Sequence, residues 1–289
     1  MSTSTHTEPV PGPHPELGDG RRRRTLWITA GLVLFLVAVV AASFWADGVA
    51  GTTSLDDRRS APSLDAWFGT DWLGRDVFAR TLVGLRLSLV VGVTAATASA
   101  LIALTLAAAS AVFGRWVAAA VNWLVDLFLA LPHLVLLILI AFALGGGTKA
   151  VVIAVALTHW PALTRVLQAQ ARVVVSSDYV ALSRGFGRSG GFVMRRHVVR
   201  HLLPHFGVGL VLLFPHAILH EAALSFLGLG VDPARPAIGI LLSESMRYLS
   251  SGMWWLAVLP GVCLLLIVKS VDAIGDNVRR LSDPRSHHQ

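Results

Sequence analysis

Six ionisable side chains interrupt otherwise apolar stretches of the sequence. They are Asp126, His133, His159, His216, His220 and Glu221. At the centre of a lipid bilayer such a group costs roughly 2.5–3.5 kcal/mol, so we expect each to face a protein interior or a cavity. The i,i+4 spacing places His216 and His220 on one helix face, and Glu221 follows on an adjacent face. Two imidazoles at that spacing can hold nickel or zinc, and a nearby carboxylate could complete the site.

The same histidines have a second interpretation, as hydrogen-bonded interior residues that line a conduit. Two ligands on one helix do not define a metal site without a third that is known to be near, so the sequence assigns no metal. For Asp126 we favour capping of a helix break, or pairing with a neighbouring chain, over binding of a substrate.

Two signatures of site chemistry are absent from the sequence. It contains no G-x-x-x-x-G-K-[ST] phosphate loop and no H-E-x-x-H zinc motif. The single cysteine, Cys263, lies inside an apolar run and cannot form an intrachain disulfide. We therefore expect no catalytic residue, no cofactor and no enzymatic activity in this chain.

Composition indicates lipid as the main solvent. Of the 289 residues, 54% are hydrophobic and 14% are charged, against about 25% charged in soluble domains, and the mean hydropathy is +0.66. These values exclude an intrinsically disordered chain, a disulfide scaffold and a collagen-like repeat. The net charge of +7 comes mostly from arginines in short segments between apolar runs, which is typical of topology signals and disfavours nucleic-acid binding.

Six apolar runs are long enough to supply membrane-spanning helices, although the fourth needs to continue past Arg165. They are Thr25–Ala46, Leu87–Phe113, Val117–Leu144, Ala150–Thr164, Phe206–Gly230 and Tyr248–Val268. The sequence therefore predicts an all-α, multi-pass protein. The largest group of arginines lies between the fourth and fifth runs, which places that segment and both termini in the cytoplasm. The predicted parts are a disordered tail 1–24, a first helix 25–46, an external segment 47–86, a core 87–280 with a cytoplasmic loop 165–205, and a tail 281–289.

Three stretches are more specific than hydropathy. The first is Gly69–Arg80, which reads Gly69-Thr70-Asp71-Trp72-Leu73-Gly74-Arg75-Asp76-Val77-Phe78-Ala79-Arg80. The second is Glu221–Gly230, which reads EAALSFLGLG. The third is Tyr179-Val180-Ala181-Leu182-Ser183-Arg184-Gly185-Phe186-Gly187, which runs on through Arg196-His197 to Leu203-Pro204.

Together these stretches resemble the permease subunit of peptide/nickel-type ABC importers, and specifically the second of the two permeases in such systems. The resemblance covers roughly Thr25 to Arg280 and implies the type I permease fold. The third stretch is similar to the family's EAA loop, which docks on the ATPase, but Ala181-Leu182-Ser183 stands where Glu-Ala-Ala is usual. Gly187 matches the family glycine. The loss of the acid at Ala181 removes the salt bridge usually expected there.

The resemblance also implies partners and a place in the cell. The partners are a second permease subunit in a heterodimer, two ATP-binding subunits, an extracytoplasmic substrate-binding protein and the lipid bilayer. The location is the plasma or inner membrane. If the chain forms a translocation path, we expect the polar residues within the apolar runs to line it, namely Asp126, His159, His216, His220 and Glu221. The histidine-rich phrases favour the nickel or metallophore branch slightly over di- and oligopeptides. A secondary transporter and a membrane scaffold without ATPase partners are the alternatives.

Overall fold

Long apolar runs without strand-like alternation form helices in the computed structural model, which describes residues 18–232 and 235–282. Residues Met194–Val198 form a π-helical turn. The α-helices in the described residues are α1 Gly18–Ala46, α2 Val77–Val112, α3 Arg115–Ala130, α4 His133–Ala143, α5 Gly147–Val175, α6 Asp178–Gly185, α7 Gly190–Val193, α8 Val199–Phe226, α9 Ile238–Leu249 and α10 Trp255–Ser282. The all-α, multi-pass prediction is confirmed.

Within the described residues, five helical segments are long and apolar enough to cross a membrane. They are Arg22–Ala46, Val77–Val112, Gly147–Val175, Gly190–Phe226 and Trp255–Leu281. The predicted third span is broken between Ala130 and His133, and its halves α3 and α4 are bent by 97°. Pro132 lies at this break, where it lacks the backbone N–H that would continue the hydrogen-bonded ladder of α3. The predicted count of six is met when the bent pair is one span.

Several predicted boundaries differ from the structure. Helix α1 begins at Gly18, so part of the predicted disordered tail is helical, while residues 1–17 and 283–289 lie outside the described residues. Helix α2 begins at Val77 rather than Leu87, so residues 77–86 of the predicted external segment are helical. Helix α5 continues to Val175 and α8 begins at Val199, so the predicted 165–205 loop is reduced to the short helices between them. Helix α9 was not predicted.

Helix α2 is the centre of the packing because its small residues allow close approach of its neighbours α5 and α8. Ala95, Ala100 and Ala107 have no exposed surface. At Gly92 an added Cβ would lie 2.7 Å from both Ile218 and Phe214 of α8, so only glycine permits this crossing.

The outer helices complete the arrangement. Helix α9 packs against α8 and α10 through buried Ile238 and Leu241. Helix α1 packs only along one side, against α2 and α10, and none of its most apolar 18-residue window is buried. The rest of its surface presents side chains such as Trp27, Leu34 and Trp45 to the surroundings, as a lipid-facing helix does.

Candidate functional site

The segment 176–198, here called the coupling segment, combines a buried root with an exposed apolar face. Val180 of α6 is fully buried and belongs to one core cluster with Val193, Val198 and Leu202. On the same helix, Tyr179, Leu182 and the following Phe186 are 50%, 63% and 82% exposed. Their i, i+3, i+7 spacing places them on one face. The segment is therefore fixed to the helical core and free to contact a partner.

Helix α6 ends in a hydrogen-bonded turn that depends on Gly187. The Gly187 N–H donates to the Arg184 carbonyl at 2.9 Å, and the Arg188 N–H donates to the Ser183 carbonyl at 3.2 Å. These two bonds define a Schellman motif, in which the residue after the cap adopts left-handed geometry. Gly187 has φ of +75°, and an added Cβ there would meet no atom within 4 Å. The requirement for glycine is therefore conformational rather than steric.

The other predicted coupling residues surround this face. Ala181, Arg184 and Arg196 are exposed and Ser183 is half-buried. His197 packs its ring against Tyr179, with ring centroids 5.5 Å apart. The exposed basic side chains are Arg184, Arg188, Arg195 and Arg196. Leu203 is exposed and Pro204 lies within α8, so this pair follows the coupling segment rather than forming part of a loop.

The outer motif, Gly69–Arg80, folds into a tight turn that starts α2. Asp76 caps the helix by accepting a hydrogen bond from the Ala79 N–H at 2.8 Å. Thr70 accepts a bond from the Ser60 N–H at 2.9 Å and donates to the Asp57 carbonyl. Gly74 has φ of +73°, and a Cβ there would lie 1.7 Å from the Ser54 carbonyl oxygen. The motif residues thus build a fixed turn against residues 54–60.

A buried ionic network connects this turn to α9. Arg80 is 3% exposed and bonds both Asp71 and, at 3.0 Å, Glu244 Oε2. Asp71 also accepts from Arg75 Nε at 2.7 Å, and its second oxygen accepts the N–H groups of Leu73 and Arg75 at 2.8 and 3.0 Å. Asp71 is therefore a buried structural acceptor. Sequence reasoning missed Arg80 as a partner of Asp71, and it missed Glu244 as the second partner of Arg80.

A polar groove opens between α3 and α5. Asp126 forms an ion pair with Arg165, and both side chains are more than half exposed in this chain. Beside them, Gln168 Nε2 donates to Ser110 Oγ at 3.0 Å and to Asn122 Oδ1 at 3.1 Å. Arg172 lies further along the same groove. Asp126 thus faces an open groove, paired within its own chain rather than capping the break at Pro132.

The structure places the remaining predicted path residues in three different surroundings. Glu221 is fully buried and accepts hydrogen bonds from Ser88 Oγ and, at 2.8 Å, from Ser225 Oγ. Its carboxylate joins α2 to α8 and does not complete a site with the histidines. His159 and His220 lie together with His133, while His216 is exposed, with Nδ1 3.2 Å from the Leu212 carbonyl oxygen. The i,i+4 pair is therefore not the observed cluster.

Comparison with known proteins decides the family. Residues 99–284 match the family described as the binding-protein-dependent transport system inner membrane component. A Brucella suis protein, provisionally named a peptide permease, is 38% identical over 89% of this chain and 86% of its own length. The chain belongs to this permease family. A dipeptide transport system permease from Alkalihalophilus pseudofirmus is 31% identical to the permease over 88% of this chain and 84% of its own length.

This membership makes the permease a membrane component of a peptide-type ABC importer and a transport protein rather than an enzyme. The family match includes the coupling segment, the polar groove and the histidines, while the outer motif lies before its first residue. A Brucella abortus relative, provisionally named a peptide transport system permease, extends the likeness. It is 34% identical over 98% of this chain and 97% of its own length.

Proposed function

We propose that this permease forms, with a second permease subunit, the translocation path of an ATP-driven importer of peptides. The observation that carries the proposal is the exposed apolar face of the coupling segment above its buried root, Val180. Such a face suits a groove on a cytoplasmic ATP-binding subunit, because an amphipathic helix gains affinity by laying its apolar side chains into a groove. The fixed root then carries a movement of the ATPase into the helical core.

The basic side chains around that face extend the docking proposal. Arg184, Arg188, Arg195 and Arg196 are exposed, and they can meet acidic groups at the rim of an ATPase groove. In this arrangement, packing and positive charge take the place of the acidic residue that is usual at the position of Ala181. It also requires the coupling segment and both termini to be cytoplasmic.

The polar groove supports a second permease as partner. The Asp126–Arg165 pair lies within candidate spans and is more than half exposed in the isolated chain. Lipid is a poor solvent for such a pair, so a protein neighbour or a water-filled path must cover it. Two permeases that face each other across this groove provide both. An extracytoplasmic binding protein would deliver cargo to the side of the membrane opposite the coupling segment, near the outer motif and α9.

Peptide is the proposed cargo because the similar proteins are named for peptide or dipeptide transport. The lean of the sequence toward nickel has no support from these names. Uptake of a radiolabelled dipeptide and of radiolabelled nickel in the same cells compares the two cargoes. The peptide proposal requires dipeptide uptake that depends on this permease and on ATP.

The docking face is tested by Phe186→Ala and Leu182→Ala. Burial of a large apolar side chain contributes about 1.5–3 kcal/mol, so each change should weaken co-purification of the ATP-binding subunits roughly 10- to 100-fold. Phe142→Ala is the matched control because Phe142, on α4, is also highly exposed but lies outside the coupling segment. Unchanged co-purification in both variants would refute the docking role.

Topology and class have their own test. A Leu182→Cys chain in a Cys263→Ser background should resist an impermeant thiol label in intact cells and react after the membrane is opened. Labelling from outside would overturn the cytoplasmic placement. Transport without any associated ATP-binding subunit would instead favour a secondary transporter.

A further inference from the structure

Three histidines from three different helices meet in one place. His133 is the first residue of α4, His159 lies in α5 and His220 lies in α8. Their ring centroids are 4.5, 4.9 and 5.0 Å apart. One ring nitrogen from each residue lies within 4.8 Å of the nitrogens of the other two. The cluster is assembled by tertiary structure, because no two of its members are neighbours in sequence.

The hydrogen bonds of His159 leave one of its nitrogens free to act as a ligand. Its Nδ1 lies 3.0 Å from the Val155 carbonyl oxygen, which can only accept, and 3.1 Å from the Thr158 hydroxyl. That hydroxyl donates its own hydrogen to the Ala154 carbonyl at 2.9 Å, so both contacts assign the hydrogen to Nδ1. Its Nε2 then presents a lone pair, and that atom is buried without a hydrogen-bond partner among the described residues. The side chain is only 9% exposed. A backbone carbonyl that holds the opposite nitrogen is the usual support of a metal-binding histidine.

We propose that His133, His159 and His220 bind one divalent transition-metal ion. Neutral imidazole suits zinc, nickel, cobalt and copper, whereas magnesium and calcium need oxygen ligands. The nearest carboxylate in the sequence, Glu221, is held by Ser88 and Ser225 and supplies no oxygen to the cluster. Three protein ligands leave a fourth tetrahedral position for water.

The geometry requires only a small contraction. Metal–nitrogen distances of about 2.0–2.1 Å place tetrahedral ligand nitrogens about 3.3 Å apart. The observed limit of 4.8 Å therefore needs each pair to approach by at most about 1.5 Å. Rotation of the half-buried His133 and His220 rings provides movement of that size while the carbonyl bond holds His159 in place.

A bound ion would connect α4, α5 and α8. Any transport step that separates these helices must break a metal–nitrogen bond, so the metal favours the packing seen here over the alternative one. The site goes beyond the proposed peptide function, and its binding test does not depend on the cargo.

The experiment is a Co²⁺ titration of the purified full-length chain in lipid nanodiscs, prepared without a polyhistidine tag and followed by ligand-field absorption. The His133→Ala/His159→Ala/His220→Ala chain is the reference for background binding by other histidines, such as His287 and His288. We expect one equivalent of tetrahedral Co²⁺ above that reference, displaced by Zn²⁺. His159→Gln should weaken binding on the order of 100-fold, since loss of a supporting residue alone costs 10- to 100-fold.

The matched control is His201→Ala/His205→Ala, which removes another histidine pair of α8, with ring centroids 5.7 Å apart, outside the cluster. This variant should keep the tetrahedral signal. Absence of the signal in the unmodified chain would overturn the proposal, and so would its survival in His159→Gln. The unmodified chain alone can refute the proposal, so the test does not depend on correct folding of the variants. Metal binding without dipeptide uptake would refute the proposed cargo and leave this site intact.

Discussion

The ionic network behind the outer motif gives the sharpest test of the fold. Arg80 and Asp71 are almost completely buried, and the Arg80 guanidinium bridges Asp71 to Glu244. Removing one member of a buried ion pair costs about 3–5 kcal/mol because the other charge stays buried without its partner. Here Arg75 stays with Asp71 and Glu244 stays with Arg80, so we expect the lower value, about 3 kcal/mol, for either Asp71→Asn or Arg80→Met.

The double variant separates pairing from simple damage. If the two changes acted independently, their costs would add to about 6 kcal/mol. The second change removes a charge that has already lost its direct partner through the first change. We therefore expect the free energy of unfolding of the double variant to fall by only about 3–4 kcal/mol. The coupling free energy is then about 2–3 kcal/mol, within the range for residues in direct contact.

The free energy of unfolding can be measured by SDS titration in mixed micelles, followed by the fluorescence of the nine tryptophans. Asp47→Asn is the control, because the Asp47–Arg86 pair is much more exposed and should contribute less than about 1 kcal/mol. Additive losses in the double variant would refute the reasoning. An Asp71→Asn loss no larger than that of Asp47→Asn would do the same.

Three further substitutions test separate features by the same unfolding measurement. Gly187→Ala should lower the free energy of unfolding by about 1–2 kcal/mol because Gly187 has left-handed backbone geometry. The control Gly185→Ala, within α6, should not destabilise the protein, and equal losses in the two variants would contradict the cap assignment. Glu221→Ala should lower the free energy of unfolding by about 2–3 kcal/mol, because it leaves the buried hydroxyls of Ser88 and Ser225 without their acceptor. The loss should exceed that of Ser88→Ala, and the reverse order would be incompatible with Glu221 as the shared acceptor. Gly92→Val should cost about 1–3 kcal/mol by forcing α2 from α8, while Gly31→Val, with open space around it, should cost less; equal costs would disprove the close crossing.

The hydrophobic pattern predicted the helical class well because each span is a continuous apolar run. It placed the start of α2 too late because Arg80 and Arg86 read as polar loop residues. Their charges are instead matched by Asp71 and Glu244 in one case and by Asp47 in the other. Glu244 is separated from Arg80 by 164 positions, and a contact at that distance leaves no periodic signal in a single sequence.

The polar site shows the same limit. Spacing along one helix made His216 and His220 the natural pair, but the fold brings His220 to His133 and His159 instead. By contrast, Gly187 was identified from its place in a family motif, and the structure supplies the hydrogen bonds of a helix cap at that position. Continuous apolar runs and a family motif could be recognised in the sequence, whereas partners drawn from different helices could not.

The lipid-facing surface of α1 has a consequence for how its sequence can vary. Acyl chains adapt to any apolar surface. The lipid-facing positions of α1 therefore need to be hydrophobic but need no particular shape. The strip against α2 and α10, which includes Leu36, Val39 and Val40, must still interlock with its neighbours. Leucine, valine and phenylalanine can therefore replace one another over most of α1, while the strip that packs against α2 and α10 stays constrained.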